Sequence, residues 1–162
     1  MSLKSMEDLF VHGLKDIYYA EKKLVQNLPK MAKKAESQDL AQAISQHLRE
    51  TENQVARLER IFKLNNMEPR GKKCPGIEGL IQEAKEIMEE AEDGDTLDAG
   101  MLAASQSVEH YEISRYGTLI AWAEELGMGE TVSLLKETLA EEKNADKLLS
   151  QLAEGKLNRE AA

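Results

Sequence analysis

The stretch FVHGLKDIYYAEKKLVQNLPKM, Phe10 to Met31, decides the fold. Its residues Phe10, Leu14, Ile17, Leu24, Leu28 and Met31 keep alternating spacings of four and three once Glu21 is counted among them, and that rhythm lines one face of an α-helix. Glu21 stands where the rhythm calls for a leucine. A helix that buries this face buries a carboxylate with it, and an isolated ionised carboxylate withdrawn from water costs several kcal/mol.

The same anomaly recurs along the chain. Leu102, Ser105, Glu109, Glu112, Tyr116, Leu119 and Ala123 trace another inward face, with two carboxylates one turn apart and side by side. Ala43, Ile44, His47, Glu50, Thr51, Gln54, Leu58 and Phe62 place an imidazole, a carboxylate and an amide among apolar residues. The last such face runs Leu135, Thr138, Glu142, Ala145, Leu149 and Leu152, with Glu141 at its edge. Two like charges ~4 Å apart repel by about 4 kcal/mol at an effective dielectric near 20. Converging acids therefore need protonation, water or a cation, and a divalent metal meets that need most directly.

The candidate ligands are Glu21, His47, Glu50, Glu109, Glu112 and an acid of the fourth segment. Glu142 fits the apolar stripe there, whereas aligning Leu48-Arg49-Glu50-Thr51 with Leu139-Ala140-Glu141-Glu142 matches Glu141 to Glu50. Both are retained. His47, one turn before Glu50, ligates directly or orients a ligand. His110 points about 100° away from Glu109 around the helix, which suits a supporting role. Tyr116 reads as an amphipathic core residue, Cys74 as an ordinary loop thiol and Asp146 as a surface acid, while His12 carries no signal. Oxygen-rich ligation of this kind suits iron or manganese, with magnesium or calcium as the alternative.

Composition narrows the alternatives. A chain of 162 residues with 41% hydrophobic content builds one substantial core, so residues 1–162 are expected to form a single domain. Aromatics are only 4% and prolines number three, and the abundance of Ala, Leu, Glu and Lys favours helix throughout. A formal net charge of −9 argues against nucleic acid as a partner. One cysteine and no apolar leader predict a cytoplasmic protein, and no stretch approaches the ~20 apolar residues that cross a bilayer. Glycine-rich phosphate loops, Cys-x-x-Cys and His-Glu-x-x-His are absent.

Caps and breakers divide the chain into elements. Ser5-Met6-Glu7-Asp8 starts a first helix that runs to about Glu36, with a kink expected at Pro29. A second helix spans about Asp39 to Asn65, and a long connection, Gly71 to Asp95, carries a short helix of its own. The third long helix runs from near Thr96 to Leu126-Gly127, and the fourth ends around Ala153 before a polar tail. Two hairpins joined by one long crossover give an all-α, antiparallel four-helix bundle of ferritin-like topology.

Asp16-Ile17-Tyr18-Tyr19-Ala20-Glu21-Lys22, His47-Leu48-Arg49-Glu50-Thr51, Val108-Glu109-His110-Tyr111-Glu112-Ile113 and Leu139-Ala140-Glu141-Glu142-Lys143 resemble the YciE/YciF family of bacterial stress proteins. The resemblance spans nearly the whole chain. It implies a ferritin-like bundle, a homodimer and a rubrerythrin-like dinuclear metal site, and the leading functional expectation for such a site is redox activity toward peroxide or oxygen. The chain departs from the usual Glu-x-x-His ligand pairs, because Asn53 and Asn144 stand where histidines are expected. Slow reaction with oxygen is the expected consequence. A non-enzymatic helical structural or interaction protein is the competing reading.

Overall fold

The computed structural model describes residues 3–162. Within them the chain forms α1 (Met6–Lys34), α2 (Gln38–Leu64), α3 (Pro75–Glu90), α4 (Gly94–Glu125) and α5 (Gly129–Leu152). Side chains start four of these helices. Ser5 Oγ accepts from the Asp8 amide (3.1 Å), Ser37 Oγ from Leu40 (3.4 Å), Cys74 Sγ from Ile77 (3.5 Å) and Asp93 Oδ1 from Thr96 (2.9 Å), each satisfying an orphan donor of a first turn. Left-handed residues mark two ends, Asn66 at φ 54° and Gly127 at φ 70°.

α1 with α2, and α4 with α5, are the two hairpins, and α3 lies in the crossover against α1 and α4. α1 continues through Pro29 as helix. The short turn between α1 and α2 is held from across the bundle, where buried Asp98 of α4 accepts the amides of Glu36 (3.0 Å) and Ser37 (2.6 Å). Phe10, Leu14 and Ile17 fill one end of α1's inward face, and Leu24, Leu28 and Met31 fill the other. Between them lies Glu21, fully buried. The bundle thus has apolar layers above and below a polar one.

The C-terminus departs from expectation. In place of a polar tail after Ala153, a π-helical turn spans Ala153–Leu157 and a last helical turn follows at Asn158–Glu160. Ala153 and Leu157 are both buried, so the apolar surface they remove from water continues the helix past Gly155. No helix among the described residues is long and apolar enough to cross a membrane.

Candidate metal centre

The polar layer collects side chains from all four bundle helices. Ligand atoms of His47 (α2), Glu109 and Glu112 (α4) and Glu142 (α5) lie within 4.8 Å of one another, and all four residues are buried. His47 Nε2 is 3.2 Å from Glu109 Oε1 and 4.0 Å from Glu112 Oε2. Glu21 of α1 adjoins this group and accepts a hydrogen bond from the Tyr116 hydroxyl. Gln54, two turns beyond His47 on α2, donates its amide N–H groups to Glu142 and to Glu141 (3.0 Å).

Much of this bonding capacity is unused. Glu21 Oε2, both His47 ring nitrogens, Gln54 Oε1, Glu109 Oε2, both Glu112 oxygens and Glu142 Oε2 are buried without a hydrogen-bond partner, and among the described residues no other buried side-chain nitrogen or oxygen shares that condition. Native interiors pair nearly all such atoms. An arrangement that leaves eight of them on six neighbouring residues unpaired is a set of converging donors that could hold a metal ion.

Electrostatics agree with that description. Burial, followed by the charge of Glu142, drives the Glu21 and Glu109 carboxyls well above the ordinary carboxylate range. Burial and then the charges of Glu21, Glu142 and Glu109 do the same to Glu112. The Tyr116 hydroxyl is likewise raised, by burial first and by Glu21 second. The charge contributions to Glu21, Glu109 and Glu112 are upward because like charges in a poorly hydrated space cannot all ionise.

The other expected residues lie nearby or elsewhere. Glu50 is half-buried outside the cluster, its carboxylate accepting from Gln46 (2.9 Å). Glu141 faces Arg57, which donates to its two oxygens at 2.9 and 3.0 Å and also bonds Thr138. The stripe position therefore distinguishes the two adjacent acids: Glu142 enters the cluster and Glu141 pairs with Arg57. His110 is exposed and pairs with Asp146 (2.9 Å), and His12 lies against Lys72. Asn53 and Asn144 are both exposed. Cys74, a free thiol in the loop before α3, is fully buried as that helix's cap, its sulfur 2.9 Å from the Tyr111 hydroxyl. Gln54 was legible as an amide in the inward stripe, seven residues after His47, whereas Arg57 lies outside that stripe and carried no signal.

Comparison with known proteins gives this constellation a context. The chain is 44% identical over 162 residues to Protein YciF of Escherichia coli (strain K12), covering 99% of this chain and 98% of that protein. The crystal structure of that stress protein superposes with a TM-score of 0.92 over 96% of this chain and 99% of its own. YcfI from Rhodopseudomonas palustris is 50% identical, with a TM-score of 0.90 over 92% of this chain and 95% of that one. A protein from Xanthomonas campestris pv. campestris, 23% identical with a TM-score of 0.72 over 93% of this chain and 92% of that one, shares the fold. The model of the family described as a domain of unknown function, DUF892, matches residues 5–162, and the chain belongs to that family.

Proposed function

We propose that this protein binds two iron or manganese ions in its polar layer and reduces peroxide with them. The observation that carries the reading is the set of unpaired buried atoms on Glu21, His47, Gln54, Glu109, Glu112 and Glu142. The donors fit such ions. Opposite ligands of an ion bound at roughly 2.0–2.4 Å lie about 4.0–4.8 Å apart, and the ligand atoms of His47, Glu109, Glu112 and Glu142 already fall within 4.8 Å. Charge supports a pair of ions, because the carboxylates of Glu21, Glu109, Glu112 and Glu142 together neutralise two divalent cations. Glu50, one turn after His47, would complete the set by giving up its hydrogen bond from Gln46.

Held by these residues, two reduced ions would supply the two electrons that, with two protons, convert peroxide to two molecules of water. The protein's residues supply the rest. Gln54 holds Glu142, Tyr116 holds Glu21, and the apolar layers on either side restrict water. The raised carboxyls hold protons more tightly than ordinary carboxyls do, and metal binding would release those protons. A non-enzymatic role has one observation in its favour, since three carboxyls raised by burial can also stay protonated with no metal. The readings separate at metal uptake. Titration calorimetry with ferrous or manganous ion is expected to give saturable binding near two ions per chain, lost or weakened at least tenfold in Glu109→Gln. Absence of uptake in the unaltered protein rejects the proposal. Anaerobic stopped-flow mixing of the loaded protein with peroxide then tests the reaction, and a rate no faster than that of the free ion leaves the structural role.

A further inference from the structure

A cavity of about 360 Å³ opens at the surface where α1, the loop before α3, the first turn of α3 and α4 meet. Small-molecule sites begin at about 300 Å³. No residue of the polar layer lines it. In a chain of formal net charge −9, its wall carries Lys72, Arg115 and His12 against a single acid, Asp16. Among the described residues, neither Lys72 nor Arg115 forms an ion pair with a carboxylate. The Lys72 ammonium lies against the His12 ring, and the Arg115 guanidinium sits 5.0 Å over the ring of Tyr111. Asp16 is 9% exposed and already accepts from the Tyr111 hydroxyl (3.3 Å). Pro75 and Gly76 bring the start of α3 to the same space, and a Cβ at Gly76 would lie 2.9 Å from Tyr111 Cε2. The amides of a first turn have no acceptors inside their own helix. Here the Ile77 amide bonds the Cys74 sulfur and the Glu78 amide the Cys74 carbonyl, which leaves the Gly76 amide for a ligand.

We infer that this cavity binds a small phosphate monoester, its phosphate oxygens on Lys72, Arg115 and the Gly76 amide and its organic part against Leu9, Leu119 and Trp122. The placement of donors sets the head. They come from three elements, the loop, α4 and α3, and a phosphate presents three terminal oxygens in three directions, whereas a carboxylate presents two in one plane. A guanidinium fork and the amides at a helix N-terminus are both suited to phosphate. Charge agrees, because two unpaired cations outweigh the one acid, and an anion uses that excess while a neutral molecule does not. The wall sets the rest of the ligand. Leu9, Leu119 and Trp122 line the cavity, and an organic group covers this apolar surface where a free phosphate would leave it wet. None of this depends on metal in the polar layer.

Trp122 is the chain's one tryptophan, so its fluorescence reports occupancy of this cavity directly. The test titrates the protein, in chelator and at low ionic strength, with phenyl phosphate, inorganic phosphate, benzoate and phenol. The expected result is a saturable change in Trp122 emission with phenyl phosphate, and titration calorimetry should give one site per chain. Inorganic phosphate, benzoate and phenol are each expected to bind at least tenfold more weakly. Lys72 and Arg115 are exposed, so Lys72→Gln and Arg115→Gln should keep the fold, checked by circular dichroism, and each should weaken phenyl phosphate binding by about tenfold or more. Lys156→Gln makes the same change of charge at an exposed residue outside the cavity and should leave binding within about twofold. No saturation, or phenol binding as tightly as phenyl phosphate, overturns the inference. Equal binding of benzoate or of inorganic phosphate overturns the choice of a phosphate ester. Undiminished binding in both cavity variants, or equal weakening in Lys156→Gln, places the anion elsewhere and overturns it too.

Discussion

Glu21 has one oxygen bonded to the Tyr116 hydroxyl and the other bonded to nothing, in a place with no exposure to water. An amide at this position keeps the acceptor for Tyr116, removes the charge, and offers an N–H to the unpaired oxygens of Glu112. Glu21→Gln is therefore expected to raise the melting temperature of the metal-free protein at neutral pH. A gain of about 1 kcal/mol corresponds to roughly 2–4 °C for a chain of this size. Leucine restores the apolar stripe but strands the Tyr116 hydroxyl, at a cost of about 1–3 kcal/mol. Glu21→Leu should thus gain less than Glu21→Gln, and both should weaken metal binding at least tenfold. Scanning calorimetry with chelator, paired with metal titration, checks the ordering. If Glu21→Gln melts several degrees lower, the acid belongs to a satisfied structural network and the neighbouring orphans need another explanation.

At the level of elements, the hairpins are joined by contacts that sequence periodicity does not register. Arg57 on α2 reaches three residues of α5, bonding Thr138 (2.7 Å), Glu141 and Glu137 (3.3 Å), and so fixes the helix that carries Glu142. Gly100 serves the crossover, because a Cβ there would lie 2.5 Å from Ile87 Cγ2 of α3. Gly100→Ala gains about 1 kcal/mol of helix propensity against an overpacking cost of about 1–3 kcal/mol. The expected outcome is a net loss of about 1 kcal/mol, with faster amide exchange in Pro75–Glu90 than in α1. A variant more stable than the parent would show that Ile87 yields freely. The bundle order, the crossover helix and the inward acids were readable because helical period, caps and breakers are local properties of the chain. The Arg57 bridge and the Asp98 grip on the α1–α2 turn were not, since each depends on which residue of a distant helix lies opposite. The C-terminal turn and the burial of Cys74 escaped the sequence for a related reason: burial of Cys74 and Leu157 is decided by neighbours that the local sequence does not name.

For the molecule as a whole, a layer of raised carboxyls makes stability depend on pH in a direction opposite to the usual one. Glu21, Glu109 and Glu112 each hold a proton more tightly when folded than the ordinary value near 4.5 allows the unfolded chain. Their contribution is complete below that value and is lost as pH rises through their raised folded values. Carboxylates lowered by hydrogen bonding, Glu7, Glu78 and Asp93, act in the other sense, contributing above the ordinary range and losing it in acid. Together these slopes place the metal-free optimum near about pH 5. From there to about pH 8 the melting temperature should fall by roughly 5 °C or more. A bound cation reverses the trend, because its ligands must shed the same protons and its affinity therefore grows with pH. With saturating manganous ion the melting temperature should rise from about pH 6 to about pH 8, so that the two curves diverge toward alkali. Paired calorimetric scans with chelator and with metal measure the divergence directly. Parallel curves would mean that the ion binds elsewhere on the acidic surface, and a metal-free curve that climbs from about pH 5 to about pH 8 would mean that these carboxyls are ionised and satisfied without one.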